Sequence, residues 1–436
     1  MSDSVSFLSK RASAVAKPSP GTLIWEVLRD QWHPESNPDG YVSVGVAENR
    51  LMHSELTDRI AKCPPMPESG LTYGDGPFGS HRIRKAMANF LTEKLRPVAS
   101  LDKDDIIITN GVSHSIEHTS WAFLNPSEGF LLGRPHYGAF VPDIELRPDA
   151  HVVPVSFGNV DLISTEAVKL YESALLESRK NGIEVKALML CSPHNPLGRC
   201  YSRPALLAYI ALCAKYSIHL VSDEIYALSV WGDTSHGAEP FTSILSIDLA
   251  GLIDPNLVHV LWGVSKDFGA NGLRLGCIIT TNAAFKEAMN SVAIYSYASG
   301  LADHVVAELL EDQDWTDTYI QINHSRLRKS YDFTTNWLRK HNIQFTPGTN
   351  AAFFLWVDLG KVYAAKHPGR KSEGDVTDEI MQALLNQKLF LARGNVFGSE
   401  RPGVFRIVFS HPVPYMEEAL SRMLRAVEAG NKESKL

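Results

Sequence analysis

Between residues 105 and 280, short apolar runs alternate with longer amphipathic stretches, and this alternation limits the folds open to the chain. The runs are 105–110, 129–133, 151–157, 185–191, 219–223, 258–262 and 275–280. Each has the length and composition of a buried strand. Intervening stretches such as 204–216 repeat apolar residues at helical spacing. Strands separated in this way predict an α/β fold with a three-layer αβα large domain and a mostly parallel seven-stranded sheet. Ligands bind such sheets at the carboxyl ends of the strands, so the residues just past each run become candidates for chemistry.

The rest of the chain divides around that sheet. Residues 1–55 form an N-terminal arm and part of a smaller domain, and residues 1 to about 40 read as extended. Residues 56–300 form the large domain. Residues 301–436 hold a long connecting helical region from Leu301 past Trp337, then a smaller α+β domain. Its strands are expected at 352–358 and 404–409, and its helices at 376–387 and 415–429. Residues 367–373 read as an exposed insertion.

Lys266 lies just past the run 258–262, in Trp262-Gly-Val-Ser-Lys-Asp-Phe-Gly-Ala-Asn-Gly-Leu-Arg-Leu-Gly276. Arg274 follows eight residues later, with small residues between. A lysine amine can form an imine and move protons. An arginine presents a planar fork of donors that matches phosphate. The glycines allow close backbone approach to a bound group. This is the arrangement expected where a lysine forms a Schiff base with pyridoxal 5′-phosphate (PLP) and an arginine grips its phosphate. Upstream, Gly111-Val-Ser113 begins a helix, and backbone amides at a helix start bind phosphate.

Three further segments occur in order: Asn110-Gly-Val-Ser-His-Ser115, Ser192-Pro-His-Asn-Pro-Leu-Gly198 and Val221-Ser-Asp-Glu-Ile-Tyr226. With Lys266 and Arg274 they resemble the fold-type I PLP enzymes of the aminotransferase class I/II superfamily, over nearly the whole chain. The resemblance implies roles residue by residue. Lys266 carries the cofactor and shuttles protons, and Asp223 pairs with its ring nitrogen. Asn195 and Tyr226 bond its phenolic oxygen, and Tyr137 stacks on its ring. Val112, Ser113, Ser265 and Arg274 hold its phosphate. Arg406, in Gly403-Val-Phe-Arg-Ile-Val408, binds the substrate α-carboxylate together with Asn195. Glu224 points away from Asp223 if the segment is extended.

Val44-Gly-Val-Ala-Glu-Asn-Arg50 and Ser399-Glu-Arg-Pro-Gly-Val-Phe-Arg406 narrow the resemblance to the 1-aminocyclopropane-1-carboxylate (ACC) synthase-like branch, as do Ser265-Lys-Asp-Phe-Gly269 and Asn350-Ala-Ala-Phe353. By that resemblance Val46 and Glu48 lie near the substrate. The chain also departs from the branch. Pro77 stands where ACC synthases carry a tyrosine, and Gly263 replaces a phosphate-binding serine. Arg50 replaces a glutamine. Tyr73 lies closer to where aminotransferases place the tyrosine that reaches the neighbouring subunit's phosphate.

The implied enzyme acts on an L-α-amino acid through external aldimine and quinonoid intermediates. An aminotransferase is the leading reading. The alternative is an ACC-synthase-like or carbon–sulfur lyase acting on S-adenosylmethionine or a cysteine conjugate. An inactive PLP-bound scaffold is the third. The resemblance also implies a homodimer with shared sites, to which Tyr73 and Tyr295-Ser-Tyr-Ala-Ser299 contribute. A net charge of −7 and the lack of a basic run with interleaved aromatics argue against nucleic acid. Five scattered cysteines read as reduced thiols, and neither CxxC nor HExxH is present to suggest a metal. No apolar run approaches the ~18 residues of a membrane span. The terminal Ser434-Lys-Leu436 reads as a peroxisomal address, so the expected location is cytoplasmic or peroxisomal.

Overall fold

The computed structural model describes residues 7–16, 22–232, 238–368 and 376–430. The terminal Ser-Lys-Leu and most of the expected insertion at 367–373 lie outside the described residues. A short strand β1 (Val42–Ser43) precedes the main sheet. The sheet is built from β2 (Ile106–Thr109), β3 (Gly129–Gly133), β4 (His151–Val155) and β5 (Val185–Cys191), with β6 (His219–Asp223), β7 (Val258–Gly263) and β8 (Gly276–Ile279). Every one of the seven apolar runs becomes one of these strands. Their order is β2-β8-β7-β6-β5-β3-β4. Six strands are parallel, and β8 alone runs against both of its neighbours.

Alternation along the strands explains why the sheet has two covered faces. Ile106 and Ile108 of β2, Leu188 and Leu190 of β5, and Val260 and Trp262 of β7 enter one core. Ile107, Met189 and Leu261 enter the other. Side chains alternate across a strand, so both faces must be apolar and both are packed with helices. The second core continues into the small domain through Phe354, Leu355, Phe405 and Ile407.

The small domain carries β9 (Gln344–Phe345), β10 (Phe354–Asp358), β11 (Leu389–Phe390), β12 (Ala392–Arg393) and β13 (Val404–Val408). Four of them form an antiparallel sheet in the order β12-β13-β10-β9, while β11 pairs with β1. That pairing fastens the start of the chain to its end.

Two expectations change. The arm is not extended throughout, because Lys10–Val15 and Thr22–Arg29 are helices. In the second, Val27 is fully buried among small-domain residues of the same chain. The connecting region is two helices, Gly300–Glu311 and Gln313–Lys340. Asp312 ends the continuity, since its carboxylate accepts from the Trp315 amide at 3.1 Å and so caps the second helix. No helix among the described residues is long and apolar enough to cross a membrane.

Candidate active site

The carboxyl ends of β2, β3, β5, β6 and β7 lie along one edge of the sheet. Because β8 is antiparallel, its beginning lies on that edge too. Topology therefore gathers the helix start at Val112, Tyr137, Asn195, Asp223, Lys266 and Arg274. All six line one pocket of about 90 Å³, with Ser113, Tyr226 and Ser265. A larger cavity of about 530 Å³ adjoins it and shares Ser113, Tyr137, Lys266 and Arg274. Val46 and Arg406 line this second cavity.

Lys266 Nζ donates to the Ala47 carbonyl at 2.8 Å. Burial lowers its pKa to about 8, and the positive charges of Arg406 and Arg274 push the same way, against Glu48 and Asp223. The amine is thus much closer to its free, nucleophilic form at neutral pH than an exposed lysine. Asp223 closes β6 and is 4% exposed. Its Oδ1 accepts from the Ile225 amide at 3.1 Å. Burial raises its pKa to about 7, so the carboxylate favours a cation placed against it. Glu224 points elsewhere, accepting from Ser222 Oγ at 3.1 Å and the Ile244 amide at 2.9 Å.

The phosphate end is shaped by close approach. The helix Val112–Phe123 starts after Gly111, whose φ of 83° and ψ of 159° suit glycine, and no side chain caps it. A Cβ on Gly111 would stand 2.4 Å from Arg274 Nη2. The guanidinium therefore lies directly against the uncapped helix start, and both present donors to the same space. A Cβ on Gly263 would stand 2.9 Å from Gly276 Cα and 3.1 Å from Val112 Cγ2. The missing serine hydroxyl at 263 thus has a packing reason: the space is filled.

Arg406 occupies the middle of β13, opposite Trp356 and Ala392. Phe405 and Ile407 face the small-domain core, so alternation turns Arg406 to the other face. Its Nη1 donates to Asn195 Oδ1 at 3.0 Å and its Nη2 to the Gly45 carbonyl at 2.7 Å. The guanidinium lies 4.7 Å from the Phe397 ring centre and 5.3 Å from that of Phe354. Its buried Nε has no hydrogen-bond partner. A buried, half-satisfied arginine between aromatic rings is a receptor for a planar anion.

These features suit PLP: an uncapped helix start with an arginine for the phosphate, an aldehyde-reactive amine, and a buried carboxylate for the ring nitrogen. Glu48 does not line either cavity and is ion-paired to Arg50 at 3.0 Å. Tyr73 is also absent from them. It is 85% exposed, and its carbonyl accepts from the Tyr297 hydroxyl. The sequence reading missed Asn271, whose Nδ2 donates to the Ala47 carbonyl at 3.3 Å. Its only signal was a polar residue within the small-residue window between Lys266 and Arg274. It also missed Cys191 and Ile225 in the pocket wall, which sequence shows only as core.

Such a fold and site define a member of the fold-type I, PLP-dependent aminotransferase superfamily. The chain belongs to the family "Aminotransferase class I and II", which matches residues 67–423. It is 30% identical over 415 residues to the mouse (Mus musculus) protein named "Probable inactive 1-aminocyclopropane-1-carboxylate synthase-like protein 2", covering 93% of this chain and 69% of that one. It is 30% identical over 414 residues to "Probable aminotransferase sirI" of Leptosphaeria maculans, covering 94% and 97%. Among solved structures, a double mutant of Thermus thermophilus aspartate aminotransferase superposes with a TM-score of 0.72 at 20% identity, covering 96% of this chain and 99% of that one. At that identity the likeness concerns the fold.

Proposed function

We propose that the protein is an aminotransferase acting on an L-α-amino acid with PLP. One observation carries the reading: Lys266 and Arg274 are common to both cavities, with Asp223 in the wall of the smaller and Arg406 in that of the larger. An amine at that junction reaches the cofactor and a substrate whose carboxylate is held by Arg406. When bound, PLP supplies an electron sink for the charge left on Cα.

The chain's own residues do the rest. With the cofactor bound, Lys266 Nζ would hold its aldehyde carbon and, once freed, would take the substrate's α-proton. Asp223 would keep the ring nitrogen protonated. Asn195 and Tyr226 would bond the ring oxygen, and Tyr137 would pack against the ring. The Val112 and Ser113 amides, Ser265 and Arg274 would hold the phosphate. Arg406 would exchange the Gly45 carbonyl for the substrate carboxylate and, with Asn195, orient the substrate. Val46 borders the substrate side chain in the larger cavity, while Glu48 lies behind that wall, paired to Arg50. The exposure of the apolar side chains Leu71, Tyr73, Ile294, Tyr295 and Leu301 supports a homodimer in which Tyr73 would reach the partner's phosphate. We assign residues 56–300 to the cofactor domain, and 1–55 with 301–436 to the arm, the connecting helices and the small domain.

A second reading, a lyase of the ACC-synthase-like kind, is favoured by the Val44–Arg50 segment and by likeness to a relative named as such a synthase. The test is mass spectrometry of products after the PLP-loaded protein meets amino acids, S-adenosylmethionine and cysteine conjugates, with and without a 2-oxo acid. Product only with the acceptor is the expected result. Product without it makes the protein a lyase, and no product from any substrate leaves a PLP-bound scaffold.

A further inference from the structure

Gly45, Val46 and Ala47 line the larger cavity, and every carbonyl from Val44 to Glu48 is engaged. The Val44 carbonyl accepts from the Val408 amide at 2.7 Å, and the Val46 carbonyl from the Glu48 amide at 2.9 Å. The Gly45 carbonyl accepts from Arg406 at 2.7 Å, and the Glu48 carbonyl from Ser410 Oγ at 2.6 Å. The Ala47 carbonyl accepts from two side chains, Lys266 Nζ at 2.8 Å and Asn271 Nδ2 at 3.3 Å. Lys266 and Asn271 thus converge on one oxygen, and both line both cavities. Asn271 is itself held from the phosphate side, where Arg274 Nη1 donates to its carbonyl at 3.0 Å. Its buried Oδ1 has no hydrogen-bond partner. With one end of this amide unsatisfied, the Ala47 carbonyl is what fixes its orientation.

The two donors differ once the cofactor arrives. To hold it, Lys266 Nζ joins the aldehyde carbon. A C=N bond forms, and one water leaves with the aldehyde oxygen and the two hydrogens of the free amine. If that nitrogen is then protonated, its single hydrogen faces the cofactor's own ring oxygen. Lys266 is left with nothing to donate to Ala47. Ala47 is 8% exposed, so its carbonyl cannot turn to bulk water. A buried carbonyl stripped of its partner is costly. Asn271 Nδ2 has no second duty. It already points at the same oxygen and is the side-chain donor that remains.

We infer that Asn271 is a positioning residue for cofactor capture: it keeps the Ala47 carbonyl satisfied, and the arm in place, when Lys266 gives up that carbonyl for the cofactor's aldehyde. This rests on the reading of Lys266 as the residue that holds the aldehyde.

The experiment compares two ligands that share a ring and a phosphate. PLP has the aldehyde that takes Lys266, whereas 4′-deoxypyridoxine 5′-phosphate has a methyl group there and leaves Lys266 on Ala47. Both are titrated by calorimetry into the full-length apoprotein, as wild type and as Asn271→Leu, a variant of similar size without a donor. Asn271→Leu is expected to weaken PLP by roughly 5- to 100-fold, the range for a buried acceptor left unpaired. It should leave the deoxy ligand unchanged, which also shows that the variant has folded. Asn271→Gln, which keeps an amide donor, should recover part of the PLP affinity. Equal losses for both ligands, as a merely structural role or a direct cofactor contact would give, overturn the inference, and so does no loss for either. Borohydride reduction of PLP-treated wild type, followed by peptide mass spectrometry, checks the premise. A label absent from Lys266 overturns that reading and the inference together, whereas a label on Lys266 with equal losses overturns the inference alone.

Discussion

Gly111→Ala tests the phosphate cradle most directly. The backbone at 111, with φ 83° and ψ 159°, lies in a region reserved almost wholly for glycine. Holding another residue there costs about 1–3 kcal/mol. The new Cβ would also stand 2.4 Å from Arg274 Nη2 and 2.9 Å from its Cζ, so the guanidinium must withdraw from the helix start. Losing one charge-assisted hydrogen bond to phosphate costs about 1.5–3 kcal/mol, or roughly 10- to 150-fold in affinity. The assay is PLP titration of the apoprotein, read by visible absorption and tryptophan fluorescence. Gly182→Ala is the control, because Gly182 also has a positive φ (80°) but no atom within 4 Å of a built Cβ. Gly182→Ala is expected to leave PLP affinity unchanged. If Gly111→Ala binds PLP as tightly as the wild type does, the phosphate does not sit between Gly111 and Arg274, and the cradle argument is wrong.

Other consequences follow from the same geometry. Since burial and Arg406 lower Lys266 to about 8, the rate of PLP capture should rise with pH and level off above that value, where the amine is free. Arg406→Gln removes a positive neighbour and should move the midpoint upward; a midpoint that falls or stays in place contradicts the assignment. The pair of half-buried His219 and fully buried His259, 3.0 Å apart between ring nitrogens, should make the fold acid-sensitive. Burial lowers His219 to about 4 and His259 well below its usual value. Their unfolded forms bind protons first, so this stability is present above about pH 6.5 and is lost as pH falls toward 4. His219→Phe should flatten that acid limb in melting curves taken across the range, even if the overall Tm drops. Phe268 is fully buried, 5.4 Å from Tyr319 and 6.0 Å from Phe90 between ring centres. Phe268→Ala should cost about 3–5 kcal/mol in denaturant unfolding, and Phe268→Leu distinctly less.

The sequence by itself determined the strands of the main sheet, the helix start at Val112 and the window from Lys266 to Arg274. These are local properties: apolar runs of strand length, turn glycines, and residues placed just past strand ends. A parallel sheet collects such positions along one edge whatever its detailed order. Sequence could not show that β8 runs antiparallel, which is what carries Arg274 to that edge. Nor could it place Asp312 as a break in the connecting helices, because one capping carboxylate does not disturb the helical period.

What only the tertiary structure decided depends on contacts far apart in the chain. Lys266 and the Ala47 carbonyl are 219 residues apart, and Arg406 and Asn195 are 211. No periodicity reports such pairs, since they arise only when the arm and small domain close over the sheet edge. Asn271 and Cys191 look ordinary until the pocket forms around them. Arg50 reads from sequence as a departure from a family pattern. Folded, it is the partner that neutralises Glu48, because Ser410 holds both backbones and leaves the two side chains facing each other.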